Sequence, residues 1–545
     1  MNFRKISIFK KTTADTASVP ETSTRACRLV FFGILFLGLL VRCMAFGNIP
    51  DGINQDEAMA AMDAQALLSY HTDRLGMHFP VHFTAWGWAQ MSVLLSYCMV
   101  PFIRLFGFTT AAIRLPALLF SLAGMLCMYA LAKKVTTERT ALLVFFLTAI
   151  NPWHIMQSRW SLDCNLFPHL FAAGCLLLLM GLKKRRYIYL SMVFFGLCLY
   201  SYGVSVYSVP LFLAVAAWYL WRTKKLPLGQ IFLSAAIFFL VALPELLTMF
   251  INLVGIPSIE TPVYTIPYFA DTVRSRDILI TNFSFRQLFI NLWFTLKATL
   301  IQTPDLFHNS IPAFGTLYHL SIPFILIGIV QMIFYMKRNF SSEENETRRF
   351  GMLLLAAWVL MGLWVGIVTC EVNVNRINII YYPMIFLTAL GIKAVIAKLP
   401  VLKWPVVVCY GCLFLAFSAT YFTVFARESH SYYHADLLEE IRFADSLPVD
   451  HLYISTDEDA QTMEILLEYA LDIDAKYLQQ ATNVSNGQNR LPYSDRYRFC
   501  YLGGDSIDWE QPATAYLVTA QEWEHLDDSL YTVYDYGRYR LYVHP

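Results

Sequence analysis

The stretch RACRLVFFGILFLGLLVRCMAFGNIPDGINQDEAM, residues 25–59, decides the fold. Its middle, 29–46, is an apolar run long enough to enter the ~30 Å hydrocarbon layer. No small-residue cleavage site follows it, so it reads as an uncleaved first membrane span rather than a signal peptide. The tail before it, 1–28, is polar and carries Arg4, Lys5, Lys10, Lys11, Arg25 and Arg28, which places it in the cytoplasm. The segment Pro50-Asp51-Gly52-Ile53-Asn54-Gln55-Asp56-Glu57 then emerges on the opposite, extracytoplasmic side.

Working outward, further apolar runs follow at 115–132, 140–154, 166–182, 187–203, 205–221, 230–251, 317–336, 350–369, 377–396 and 404–425. The expected fold class is therefore a mainly α, polytopic membrane helical bundle of about eleven spans at ~20 residues each. Composition agrees: 57% of the 545 residues are hydrophobic and 15% charged, with mean hydropathy +0.47. Soluble domains run nearer 45–50% apolar and ~25% charged. A formal net charge of +1 gives no bulk attraction to nucleic acid, and no nucleic-acid partner is expected.

Lysine and arginine set the orientation. Lys133-Lys134 with Arg139, Lys183-Lys184-Arg185-Arg186, Arg222 with Lys224-Lys225, Lys337-Arg338 with Arg348-Arg349, and Lys398 with Lys403 all belong in the cytoplasm. That parity holds only if the run 88–107 does not cross. It contains Pro101 and Arg104, which ordinary spans tolerate poorly, and it reads as a re-entrant or interfacial helix. Three parts result: a cytoplasmic tail 1–28, a transmembrane catalytic part 29–426, and an extracytoplasmic C-terminal α/β domain 427–545. The tail reads as an alternation of helical and β-like segments at 435–444, 451–455, 460–470, 497–502, 514–518 and 530–543.

The 11 cysteines are scattered, mostly in apolar runs where thiols act as small hydrophobes. Cys409 and Cys412 have redox spacing but lie in mid-span with no βαβ context, and only Cys500 falls in a clearly soluble stretch.

Polar side chains that suit chemistry collect in the external loops. Asp56 and Glu57 are adjacent carboxylates at the membrane surface, and one of them can take a proton from an acceptor hydroxyl. Equally, Asn54 can be a helix N-cap with Glu57 reaching back to it, Asp56 only favouring the helix dipole. The second loop offers Trp153, His154, Arg159, Trp160 and Asp163. Arg159 suits a bidentate phosphate contact, or an i,i+4 pair with Asp163. The fourth offers Glu371, Asn373, Asn375, Arg376 and Asn378, a set for a phosphate or sugar, or a topological anchor. The third carries Lys297, Gln302, Asp305, His308 and Asn309 around an amphipathic helix at 285–301, expected to lie in the interface plane. There Lys297 either meets a lipid phosphate or snorkels. The pairs His78/His82 and His430/His434 have metal-ligand spacing without a third ligand, and no metal site is expected. Tyr200, Tyr202 and Tyr207 suit a sugar, a lipid groove or packing. Glu245 is an acid inside the 230–251 run, the kind of residue that marks a permeation path.

In order and membrane side, several short motifs resemble bacterial members of the GT-C superfamily, in the branch of protein O-mannosyltransferases and the aminoarabinose transferase of lipid A. They are Asn54-Gln55-Asp56-Glu57-Ala58, Phe106-Gly107, Arg114-Leu115-Pro116-Ala117, Asn151-Pro152 with Ser158-Arg159, Gln302 to Asn309 leading to Gly315-Thr316-Leu317-Tyr318, and Arg376 with Tyr382-Pro383. The likeness covers about residues 1–425.

The resemblance implies a polyprenyl-phosphate sugar as donor and transfer outside the cytoplasm to a glycan, lipid or protein acceptor. It also implies inversion at the anomeric carbon, with no cofactor. Carried over, Asp56 is the base, Glu57 its supporting acid, and Arg159 and Arg376 the donor-phosphate ligands. Asn375, His154, Asp163, Lys297, Gln302 and Asn309 are expected around the substrates. One departure is the stretch Pro80-Val81-His82-Phe83-Thr84-Ala85-Trp86-Gly87, which lacks the acid that related enzymes place there. The rival functions are a polymerase or ligase of undecaprenyl-linked glycans, and a lipid-linked glycan transporter or flippase.

Overall fold

The computed structural model describes residues 21–86, 89–269, 284–337, 343–369, 371–456, 459–480, 494, 496–500, 509, 511–524 and 526–544. Arg4, Lys5, Lys10, Lys11, Gly87, Trp88, Arg338 and Cys370 lie outside the described residues.

Each expected span coincides with a helix. In chain order the first part runs α1 (Glu21–Cys43), α2 (Gln55–Tyr70), a hairpin of β1 (His82–Ala85) and β2 (Ala89–Ser92), α3 (Leu94–Phe106), α4 (Thr110–Val135), α5 (Glu138–Ala149) and α6 (Pro152–Gln157). Then come α7 (Phe167–Gly181), α8 (Arg186–Cys198), α9 (Ser205–Arg222), α10 (Leu228–Val254) and, after a short hairpin (β3, Ile259–Glu260; β4, Thr265–Ile266), α11 (Phe285–Leu296). The rest of the bundle is α12 (Ser321–Lys337), α13 (Glu343–Val368), α14 (Tyr381–Lys398) and α15 (Lys403–Thr420). Among the described residues, 7 helical segments are long and apolar enough to cross a membrane. The expected spans at 140–154, 187–203, 205–221 and 317–336 are the shorter or less apolar α5, α8, α9 and α12. Helix α3 covers the run read as re-entrant. At 1.5 Å per residue it rises about 20 Å, short of the hydrocarbon thickness.

Apolar side chains cover the outside of the bundle as well as its core. Phe32 and Phe36 of α1, Leu240 and Leu253 of α10, and Trp404 and Leu415 of α15 are all exposed, as a lipid-facing surface requires. The basic blocks do gather: Lys133, Lys134, Lys183, Lys184 and Arg348 line one cavity at the ends of α4, α7 and α13. Nearby, Lys225 pairs with Glu346.

Close helix crossings use glycine. A Cβ on Gly391 of α14 would run into the backbone carbonyl of Phe324, and one on Gly328 of α12 into that of Leu387. Backbone cannot rotate away as a side chain can. Gly391→Ala is therefore expected to cost about 1–3 kcal/mol by overpacking, read as a lower melting temperature in detergent. Helix α11 lies along α13, where Thr295 fills the notch at Gly366 and Asn291 Nδ2 donates to Ile367 O at 2.8 Å. Its other face, with Phe285, Phe289 and Trp293, is exposed.

After a π-helical turn (Tyr421–Phe425), α16 (Ala426–Tyr432) leads into α17 (Ala435–Ser446) and a mixed sheet. Strands β5 (His451–Ser455), β6 (Tyr497–Cys500), β7 (Thr514–Thr519), β8 (Thr532–Asp535) and β9 (Tyr539–Val543) stand in the order β6-β5-β7-β9-β8. The β6-β5-β7 pairs are parallel and the β7-β9-β8 pairs antiparallel. Helices α18 (Ala460–Ala470) and α19 (Ala475–Gln480) complete this α/β part. It rests on α2: Gln65 Nε2 donates to Asp472 at 2.6 Å, Tyr70 Oη to Asp474 at 2.7 Å, and Gln479 Nε2 to Thr72 at 2.8 Å.

Candidate active site

The N-terminus of α2 is held from two sides. Gly52 has φ +86°, and a Cβ there would strike the carbonyl of Tyr433, so only glycine fits this turn. The next residue, Ile53, donates its N–H to that same carbonyl at 2.6 Å. Asn54 caps the helix, accepting from the Asp56 N–H at 3.0 Å, and Glu57 reaches back to the Asn54 N–H at 3.5 Å. The capping reading of Asn54 and Glu57 is thus realised. Glu57 does more than cap. It is fully buried, takes Arg114 Nε at 2.8 Å and Nη2 at 2.9 Å, and accepts the Ser161 N–H at 2.8 Å. Arg114, equally buried, also donates to the carbonyls of Pro50 and Gly52 at 2.7 and 2.8 Å. Every Glu57 lone pair is committed to position. Asp56, beside it in the first turn, remains partly exposed.

The second loop closes against this helix start. Asp163 begins a 3₁₀ turn (Asp163–Leu166), its carboxylate accepting the Cys164 N–H at 2.6 Å. Asp56 and Asp163 both lie within electrostatic reach of Cys164. Arg159 faces elsewhere. Its Nη1 donates to the carbonyls of Val41 and Arg42 at 3.1 and 2.7 Å, and Nη2 to those of Met44, Ala45 and Ile49 at 2.8, 3.2 and 3.0 Å. Its guanidinium lies 5.6 and 5.1 Å from the ring centres of Tyr421 and Phe422. The orphan carbonyls at the end of α1 thereby find their donors, and Arg159 is fully buried. His154 sits deeper, in a chain from Arg42 (2.7 Å) through His154 to the Tyr382 hydroxyl (2.8 Å) and on to His169 (2.8 Å).

The third and fourth loops form the other wall. Asn309, fully buried, donates to Asp305 at 3.1 Å and accepts from Gln157 at 3.3 Å. Asp305 also accepts the Val374 N–H at 2.6 Å, and Asn375 Nδ2 lies 3.3 Å from His308 Nε2. Burial lowers the His308 pKa to about 4, so the ring is neutral near pH 7. It packs 4.5 Å from Trp160, centre to centre. Asn378 ties this wall to the second loop by donating to the Cys164 carbonyl at 2.7 Å. Arg376, at 26% side-chain exposure, lies 3.6 Å from Glu371 and within electrostatic reach of Tyr207, whose hydroxyl bonds Thr369 at 2.8 Å. Gln302 is buried in a left-handed turn, its Oε1 accepting the Leu317 N–H at 2.8 Å. Lys297 starts a π-helical turn, its ammonium 5.6 Å from the Phe294 ring centre.

Four loops distant in sequence thus meet. Asp56, Asp163, Asn309, Asn375 and Arg376 fall within one connected set of loop walls. Arg159, His154 and Gln302 are engaged in fixing backbone or neighbouring helices, and Lys297 stands at an aromatic ring. Roles for Arg114, Ser161 and Cys164 were not anticipated, and Asn378, expected at a phosphate or sugar, donates to a backbone carbonyl instead. The Arg114-Leu115-Pro116 motif was the available signal for the first. In the two histidine pairs, His82 bonds Glu245 at 3.0 Å and His430 bonds Asp51 at 2.8 Å. No group of three metal-binding side chains occurs among the described residues.

Comparison with known proteins gives the fold type. The family described as dolichyl-phosphate-mannose-protein mannosyltransferase matches residues 91–247. ArnT from Cupriavidus metallidurans, solved bound to undecaprenyl phosphate, superposes with TM-score 0.57 at 14% identity, over 96% of this chain and 98% of that one. The oligosaccharyltransferase AglB from Archaeoglobus fulgidus, solved with an inhibitory peptide and a dolichol-phosphate, superposes with TM-score 0.50 at 13% identity. It covers 82% of this chain, which spans 64% of that one. No curated protein matches the sequence. The chain has the GT-C membrane glycosyltransferase fold, of the type to which its motifs bear resemblance.

Proposed function

We propose that this protein transfers a sugar from a polyprenyl-phosphate donor to a hydroxyl-bearing glycan, lipid or protein acceptor outside the cytoplasm, with inversion. The observation that carries the reading is the start of α2. A partly exposed Asp56 stands beside a Glu57 that is wholly committed to Arg114, Ser161 and Asn54. The committed Glu57 fixes the helix start on which the partly exposed Asp56 stands.

In the proposed step the acceptor oxygen attacks the anomeric carbon while Asp56 takes its proton. The bond from that carbon to the phosphate oxygen breaks, and its electron pair leaves with the polyprenyl phosphate. A phosphate is a good leaving group once a cation meets its charge, so no general acid is needed. Arg376 is the assigned cation, being the partly exposed arginine at the loop walls. Arg159 is assigned a positioning role, on the strength of its five carbonyl contacts. Glu245, the acid inside α10, pairs with His82 at 3.0 Å.

The test is transfer of label from a radiolabelled polyprenyl-phosphate sugar in membranes carrying the protein, against blank membranes. Arg376→Ala is expected to raise the donor KM by roughly tenfold or more, since hydrogen bonds to charged groups contribute ~1.5–3 kcal/mol. An unchanged KM would remove Arg376 from the donor site.

A further inference from the structure

Asp56, Met59 and Asp63 stand at i, i+3 and i+7 of α2 and so share one face. Down that face from Asp56 lies a cavity of about 120 Å³, walled by Met59, Arg74, Leu75, Thr84, Trp86, Gln461, Glu464, Ile465, Glu468 and Leu478. Asp63 is about 10 Å from Asp56 along the axis at 1.5 Å per residue. The α/β part closes this cavity: α18 supplies Glu464 and Glu468.

The charges there do not balance. Arg74 is taken by Asp63, through Nη1 at 2.7 Å and its N–H at 3.0 Å, with Nη2 on the Thr84 carbonyl at 3.1 Å. Asp73 closes its own turn, accepting from the Leu75 and Met77 N–H groups at 3.0 and 2.8 Å. That leaves Glu464 and Glu468, one turn apart on α18. Glu468 is only 3% exposed. Its carboxylate has neither a hydrogen bond nor an ion pair among the described residues, and Arg74 acts on it only at a distance. A buried carboxylate facing a cavity without a partner is costly to keep ionised unless something cationic enters.

We propose that this cavity binds a primary ammonium group of the acceptor, held by Glu464 and Glu468 against Trp86 while the acceptor hydroxyl meets Asp56. This rests on the transfer reading above and adds the acceptor's chemistry to it. The volume of about 120 Å³ admits an aminoethyl-sized group. The indole of Trp86 adds a face that attracts cations. Burial raises Glu464 to about 7, and burial with the nearby Glu464 charge raises Glu468 to about 8. Asp63, Asp73 and Arg74 are the other charged groups facing them. Among the described residues, the hairpin and α19 contribute Thr84, Trp86 and Leu478. Ammonium binding is therefore expected to tighten from pH 6 to pH 8 as these carboxylates ionise.

The probe is ethanolamine, with ethylene glycol as neutral control at matched ionic strength, read as the melting temperature of the purified full-length protein at pH 8. Ethanolamine up to 50 mM is expected to raise it in a saturable way for wild type and for Asp56→Asn. The rise is lost in Glu464→Gln/Glu468→Gln. That double variant relieves repulsion between like charges and is expected to melt no lower than wild type at pH 8, so loss of the response is not loss of the fold. No rise in wild type, an equal rise in the double variant, or an equal rise with ethylene glycol overturns the site. Binding is read without catalysis, so failure of transfer with retained ethanolamine binding refutes the reaction and leaves the site standing.

Discussion

Asp56→Asn is expected to lower sugar transfer by ~10²- to 10⁴-fold, the range contributed by a positioned general base, while the protein folds and melts as wild type does. The amide has the size of the carboxylate and keeps the first turn of α2 filled, but it takes no proton. The fold should tolerate the change because Asp56 is partly exposed and its N–H, not its carboxylate, makes the capping bond to Asn54. Loss of a negative charge at the helix N-terminus removes only ~0.3–1 kcal/mol. Transfer assayed in membranes, with melting followed in detergent, separates the two effects. Retained transfer would shift the base to another carboxylate, and Asp163 is the neighbour to examine next.

The largest stability effect is expected at Arg114. In Arg114→Met, Glu57 keeps a buried charge but loses both guanidinium contacts, at 2.8 and 2.9 Å. Breaking a buried pair from one side costs about 3–5 kcal/mol. The carbonyls of Pro50 and Gly52 lose their donor as well. Activity should fall with stability, because the start of α2 and the turn before it hang on this one side chain. Thermal melting of the purified protein checks the first claim. Glu57→Gln, which keeps a hydrogen-bonding head without the stranded charge, is expected to lose less. If Arg114→Met melted like wild type, the ion pair would not be what positions Asp56.

Hydropathy made the bundle legible. A span needs a long apolar run whatever it packs against, so each of the expected runs marks a helix. The mixed pattern after residue 430 likewise announced helical and β segments, though 530–543 holds two strands, β8 and β9, and α19 went unread. The adjacent carboxylates Asp56 and Glu57 were visible too, but their division of labour was not. It depends on Arg114 and Ser161, which are 57 and 104 residues away along the chain. Arg159 shows the same limit. An arginine beside tryptophans at a span end suits a phosphate equally well. Only the folded chain reveals that the carbonyls ending α1 occupy its donors. His154 was assigned to the surface cluster by its neighbours in sequence, yet its ring turns inward to Arg42 and Tyr382. The amphipathic pattern of α11 showed an apolar face without showing that the opposite face packs on α13.

The most direct test of the account is to reconstitute the purified protein in liposomes with a polyprenyl-phosphate sugar and an acceptor extract, and to quantify both products. One polyprenyl phosphate released for each sugar transferred is the predicted result. Transfer accompanied instead by polyprenyl diphosphate would contradict it and point to a ligase or polymerase of lipid-linked glycans.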